Sequence, residues 1–434
     1  MSIRVATALT DAEQESRVVQ AVSSTMPDAV IVRRCRDVVE LRALAQSAQV
    51  DVVVVDGALR GLDRDVAARL LGCGVRLIAV TDDAEAMLAI GAAGVVGRDL
   101  AQLSEVLRPL VASQHDHSGI DGDVGHSHVW QSSESRPVVG RLIAVWGPCG
   151  APGRTTVAIE LAAALSRRSR SLDDVLLVDL DTLGPSVAQL LGLIDDTSGL
   201  AASVRVAAQG SLQPSDLAAL SVSVPSGFRV LVGLPSADRW TELRPASTEA
   251  VLHTAQALVS WTVLDAGSAV EGSDLEWVEP GTPQRFGAAR VALAHADVVV
   301  CVARPDPVGL SRLLRELPQV QALAPTAEVL VVLNEAGAHR TGRDARELVQ
   351  AVSGRAVLQL PGDPKGLSRA VMRGAPVCEV DPDSAFVAGV EALASEVFAS
   401  FGSYDQTRDR SAGSHRRLLR GAHRRHRHRD AGVV

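Results

Sequence analysis

Arg141-Leu-Ile-Ala-Val-Trp146 runs without a break into Gly147-Pro-Cys-Gly-Ala-Pro-Gly-Arg-Thr-Thr156, and from Thr155 the stretch TTVAIELAAALSRR has a helical pattern. A short apolar strand, a loop of small residues and a helix start form the layout in which backbone N–H groups and a helix N-terminus converge on an anion. Against the pattern G-x-x-x-x-G-K-[ST], Pro148 stands at the first Gly and Arg154 at the Lys. Lys365 is the only lysine in the chain, so arginine does nearly all the basic work and its presence in the loop is less surprising.

Working outward, 434 residues suffice for two or more domains with full cores. With 47% hydrophobic but only 3% aromatic residues, those cores must be built from Ala, Val and Leu. The five cysteines (35, 73, 149, 301 and 378) are scattered and lack C-x-x-C spacing, which argues for reduced thiols without a disulfide framework or zinc site. Asp11 and Glu13 precede any long apolar run, against a signal peptide, and no run approaches the roughly 20 apolar residues of a membrane helix. A cytoplasmic protein is expected, touching a membrane only peripherally if at all. Charge is unevenly spread: nine Arg against three Asp give residues 402–434 a charge of +6 and leave −14 for the rest of a chain whose net charge is −8.

Residues 1–111 alternate strand-like and helix-like runs, the signature of a doubly wound parallel sheet. Order and spacing resemble a response-regulator receiver domain. The resemblance puts Asp56, at the end of Asp51-Val-Val-Val-Val-Asp56, at the phosphoacceptor position, Thr81 at the switch threonine and Arg98 at the family's lysine. A receiver needs an acidic pair after its first strand to hold Mg²⁺. Here those positions read Leu9 and Thr10, with Asp11 nearest, so an atypical receiver used for docking or dimerisation is expected. A strand-end carboxylate capping the next turn is the plainer reading of Asp56. Residues 112–139, rich in Ser, Gly, Asp and His, read as a flexible linker; the pairs His115/His117 and His126/His128 lack a framework for metal.

From residue 140 to 401 the β/α alternation resumes with a series of landmarks. Val175-Leu-Leu-Val-Asp-Leu-Asp181 is an apolar strand ending in two carboxylates, and Trp261-Thr-Val-Leu-Asp265 is another ending in one. Asn334, Pro361-Gly-Asp363 and Gly374-Ala-Pro376 follow. Together with Cys149-Gly-Ala-Pro-Gly-Arg-Thr-Thr156 this makes six landmarks in fixed order. The series resembles the MinD/ParA family of deviant P-loop ATPases. A receiver-like domain ahead of it resembles the TadZ/CpaE proteins of Tad/Flp pilus assembly and actinobacterial septum-site-determining relatives. The expected fold is therefore α/β, with two doubly wound parallel-sheet domains: a flavodoxin-like receiver, then a P-loop NTPase of the MinD/ParA type.

The resemblance implies ATP and Mg²⁺ as cofactors. Gly150, Ala151, Pro152, Gly153, Arg154, Thr155 and Thr156 then cradle the phosphates, with Arg154 neutralising them. Thr155 and Asp265 hold the metal, Asp179 supports its shell or the loop, and Asp181 positions the attacking water. Asn334, Pro361 and Asp363 meet the adenine. Arginine is bulkier than lysine and favours bidentate contacts. Cys149 stands where the family's lysine reaches across a nucleotide-sandwiched dimer, and a thiol supplies no such charge, so hydrolysis, if present, is expected to be slow. Taken singly, the carboxylates also read as strand ends, Asn334 as a turn residue and Arg154 as a surface charge.

Residues 273–287 read as a surface loop interrupting the fold. Phe386, Val390, Leu393, Val397 and Phe401 recur at helical spacing. A membrane-binding stripe is one reading; packing on the sheet is favoured, because Glu391 and Glu396 occupy the polar face and basic residues are absent. The tail 402–434 reads as basic and disordered, with anionic lipid or nucleic acid as less favoured partners. The expected function is that of an ATP-binding, homodimeric spatial organiser that recruits pilus-assembly or division proteins. A nucleotide-independent scaffold and a DNA-partitioning factor remain as alternatives.

Overall fold

In the computed structural model, residues 3–112, 140–150, 152–169, 171–193, 198–268, 284–336 and 340–401 are described. Ala151, both linker histidine pairs, residues 269–283 and the tail 402–434 lie outside the described residues.

Apolar runs of three to six residues form five strands in the N-terminal unit: β1 (Ile3–Ala8), β2 (Ala29–Arg34), β3 (Val52–Asp56), β4 (Arg76–Val80) and β5 (Gly94–Val96). All pair in parallel in the order β2-β1-β3-β4-β5, the flavodoxin-like order. β3 is buried along its whole length, as a valine run must be when helices cover both faces of a sheet.

Asp56, at the end of β3, is buried and accepts hydrogen bonds from the Ala58 amide (2.9 Å) and the Thr10 hydroxyl. Burial opposes its charge, but the donors of Thr10 and Ala58, together with the charge of Arg98, outweigh burial and hold the carboxyl below its ordinary value. Thr10 thus uses an oxygen of Asp56 at the point where a receiver carries acid. Asp11 caps helix Ala12–Thr25 by accepting the Glu13 amide. Arg98 lies 3.6 Å from Asp82, and Thr81 accepts the Asp83 amide.

The second sheet comprises β6 (Arg141–Trp146), β7 (Val175–Asp179), β8 (Val222–Ser223), β9 (Arg229–Leu231), β10 (Trp261–Asp265), β11 (Val298–Ala303), β12 (Glu328–Leu333) and β13 (Val357–Gln359). Its order is β13-β12-β11-β6-β10-β7-β9-β8, parallel except for the edge strand β8. The chain leaves β6 for β7 on one side, whereas it leaves β10 for β11 on the other. The carboxyl ends of β6 and β10 therefore border the crevice where an open α/β sheet takes its ligand.

Helix Arg154–Arg168 covers one face, and residues 385–401 form a helix on that same face. Phe386, Val390, Leu393 and Val397 are all buried there, and Phe401 packs edge-on to Trp261, so the apolar stripe faces the sheet as favoured. Glu391 on the outer side of this helix pairs with Arg167 and Arg168. Among the described residues no helix is long and apolar enough to cross a membrane.

The two sheet units meet through helix Arg64–Gly72 of the first and helix Pro245–Leu258 of the second. Asp65, 4% exposed, accepts the Ala246 amide at 3.0 Å and the Ser247 hydroxyl. Asp63 accepts from Arg244 at 2.6 Å, and Arg64 donates to the Ala207 carbonyl at 3.1 Å.

Candidate functional site

The loop after β6 opens into helix Arg154–Arg168, which begins one residue ahead of the sequence expectation. Its first helical residue follows Gly153, held in the left-handed region at φ +88°. A Cβ at residue 153 would strain that backbone and lie 2.3 Å from the Asn334 amide nitrogen. Asn334, buried at the end of β12, donates to the Pro152 carbonyl at 2.8 Å. It thereby braces the loop from the neighbouring strand, a contact separate from the adenine contact expected of it.

Three carboxylates lie beneath the loop. β10 and β7 pair in register, so Asp265 and Asp179 stand side by side at adjacent strand ends. Their surroundings differ. Asp179 accepts the amides of Asp181, Ser186 and Val187, each at 3.2 Å, and so organises the turn into the next helix. Asp181 accepts the Leu183 and Gly184 amides on one oxygen, while its other lies 3.9 Å from Arg154. Asp265 is fully buried, and neither of its oxygens has a hydrogen-bond partner among the described residues.

Burial drives the Asp179 carboxyl well above the ordinary range, and the charge of Asp265 adds to the effect. Burial likewise pushes Asp265 up to about 6, against the pull of nearby Thr155 and Arg154. An unpartnered buried carboxylate costs several kcal/mol, roughly, unless a cation or donor completes it. Hard carboxylate and hydroxyl oxygens at one point suit a magnesium ion, so the donor set fits that ion.

Arg154 bends back over its own loop, donating to the carbonyls of Pro148 (3.0 Å) and Gly147 (3.2 Å). The Ser186 hydroxyl lies 3.4 Å from that of Thr155. Gly267, at φ +71°, lets the chain after β10 pass Asp181: a Cβ there would sit 2.9 Å from the carboxylate. Cys149 is exposed beside the loop. Its carbonyl accepts a 2.7 Å hydrogen bond from Arg312 on helix Pro307–Leu323.

The structure thus brings together Gly150, Pro152, Gly153, Arg154, Thr155, Thr156, Asp179, Asp181, Asp265 and Asn334. Asp363 has another visible task. It caps helix Pro364–Arg373, accepting the Gly366 amide and the Ser384 hydroxyl at 2.8 and 2.6 Å. Lys365 is exposed in the first turn of that helix. Sequence reasoning missed Ser186, Gly267 and Arg312. The glycine and serine follow carboxylates closely enough to have been considered, whereas Arg312 lies 163 positions from Cys149 in an unmarked helix.

No family model matches the chain, and no curated protein matches it. Among solved structures, a ParA family ATPase from Chlorobium tepidum is 19% identical, over 58% of this chain and 98% of that one, with a TM-score of 0.50. The cell division ATPase MinD from Pyrococcus furiosus is also 19% identical, over 60% of this chain and 99% of that one, at 0.48. The septum site-determining protein MinD from Pyrococcus horikoshii, complexed with Mg-ADP, is 19% identical over 59% and 96% at 0.47. At such identity the first of these likenesses establishes fold alone: over more than half its length, this chain has the fold of a ParA family ATPase.

Proposed function

We propose that the chain binds ATP with Mg²⁺ at the loop of residues 150–156 and uses it to control self-association and partner recruitment. One observation carries this reading: Asp265, sealed beneath the loop beside Thr155 and Gly267, with no hydrogen-bond partner for either carboxylate oxygen among the described residues. A buried anion left in that condition is a feature of sites that await a cation.

In this reading the loop amides bind the phosphates, and Arg154 exchanges its carbonyl partners for them. Thr155 and Asp265 hold the metal, and Asp179 keeps the β7 turn in place beneath it. The magnesium ion supplies positive charge to the phosphate oxygens. Asp181 orients the attacking water. Asn334 fixes the loop, while the segment from Pro361 to Asp363 borders the base. Any turnover is slow, because a planar guanidinium replaces a compact ammonium and Cys149 brings no cation.

The domains proposed are an atypical receiver at 1–111, a linker at 112–139, the nucleotide domain at 140–401 and a basic tail beyond it. The homodimer positions pilus-assembly or septum-site machinery from the cytoplasmic side. A nucleotide-independent scaffold is the second reading, favoured by the hydrogen bonds that already hold Arg154 to Gly147 and Pro148. Calorimetric titration of the full chain with ATP and Mg²⁺, beside Arg154→Ala and Asp265→Ala, separates the two. Micromolar binding weakened by both substitutions supports the switch; no binding by the folded wild type leaves the scaffold. Loss of DNA binding on deleting 402–434 would favour a partitioning role instead.

A further inference from the structure

Helix Pro245–Leu258 carries Glu249 and His253 one turn apart, and helix Gly287–His295 ends on His295 beside them. The two helices pack through Val251, Leu252, Ala255, Ala288, Ala289 and Ala292 in one buried cluster, which fixes the backbones that carry the three side chains. His295 Nε2 lies 3.4 Å from Glu249 Oε1. The His253 and His295 rings stand edge to face, their centroids 5.4 Å apart. One donor atom from each of the three residues falls within 4.8 Å of the other two.

We propose that Glu249, His253 and His295 form a binding site for a zinc-like divalent transition-metal ion. Bonds of about 2.1 Å in a tetrahedron separate ligand atoms by about 3.4 Å, so the Glu249–His295 pair already spans one edge. His253 is exposed and closes the remaining gap by side-chain rotation. Two imidazoles and one carboxylate select zinc-type ions over magnesium, whose preference is for oxygen, so this site is distinct from the one beneath the loop. Exposure leaves the fourth position to water. Arg64, a permanent cation nearby, donates its Nε–H to the Ala207 carbonyl, and its charge is felt by both Glu249 and His253. A metal here staples together two helices, one of which also receives the N-terminal unit.

The test uses the full chain, stripped with chelator, in Co²⁺ absorption titration and in thermal unfolding with and without Zn²⁺. Other histidines of the chain can bind zinc, so wild type is set against His253→Ala, His295→Ala and Glu249→Gln. Expected are one tight equivalent, a cobalt spectrum of tetrahedral type and a zinc-dependent rise in unfolding temperature. Each substitution should weaken binding at least tenfold and remove that rise, with metal-free unfolding close to wild type. Absence of tight binding, or binding and a temperature rise that all three variants retain, would overturn the proposal.

Discussion

The carboxylate of Asp65 caps a helix in the other sheet unit, accepting the Ala246 amide at 3.0 Å. Helix Pro245–Leu258 has Arg244 at its own N-cap position, where the side chain makes no capping hydrogen bond. Asp65 therefore does for this helix what a local Ser or Asp ordinarily does, and places negative charge at the positive end of its dipole. Asp65→Ala leaves a half-buried amide and a buried hydroxyl without their acceptor. Urea unfolding should show a loss of about 1–3 kcal/mol, and Asp65→Asn should recover part of it.

Asp265→Asn should separate stability from binding. Removing an unpartnered buried charge stabilises the nucleotide-free protein by about 1–3 kcal/mol in denaturant titration, while Mg²⁺-dependent ATP affinity falls. Equal or lower stability in the variant would mean that Asp265 is satisfied by something other than a ligand.

Glu160 provides a pH signature. Burial lifts its carboxyl to about 7, although the Val377 amide pulls the other way. The folded chain holds this proton more tightly than the unfolded chain, so the stabilisation is complete below about pH 4.5 and declines as pH rises towards 7. A shift of this size corresponds to about 3 kcal/mol. Glu160→Gln should be more stable than wild type at pH 8, and the difference between them should shrink on acidification.

Asn334→Ala removes the strut between β12 and the Pro152 carbonyl. Stability should fall by about 1 kcal/mol, with a larger proportional loss in ATP affinity because the loop is no longer preorganised. Affinity unchanged within twofold would show that the loop holds its shape without the strut.

Arg312 brings a second cation to the loop through the Cys149 carbonyl. Arg312→Ala should weaken ATP binding several-fold, whereas Cys149→Ser should leave it near wild type. Cys149→Lys should raise the hydrolysis rate if a missing ammonium limits turnover.

What could be read in the sequence was contiguous. The strand ending at Trp146, the glycine at 153 and the acids closing β7 and β10 form runs of adjacent residues, and sheet geometry then brings their ends together. The β/α alternation of the first 111 residues implied a parallel sheet, and the resemblance to a receiver supplied the flavodoxin-like order seen in its five strands. Contacts between distant residues gave no such signal: Asp65 and Ser247 are 182 positions apart. Residues 198–260 hold helices Gly199–Ala208, Pro214–Leu220 and Pro245–Leu258 with the β8–β9 edge, yet no motif announces them. Taken singly in the sequence, Asp179 and Asp265 are both strand-end carboxylates, and only the resemblance gave them different roles. The amides around each give the physical reason: three converge on Asp179, which shapes a turn, and among the described residues none bonds Asp265.

The terminal helix has a further consequence for where the protein can reside. Phe386, Val390, Leu393 and Val397 are each at most 1% exposed against the sheet. Lifting that face off the sheet would open the apolar residues beneath it to water, at about 1.5–3 kcal/mol for each large side chain uncovered, a sum comparable to the whole stability of a typical domain. The helix cannot alternate between core and lipid while the protein stays folded. The apolar stripe of residues 385–401 is therefore committed to the core of the native state, and only the outer side of this helix is open to other molecules.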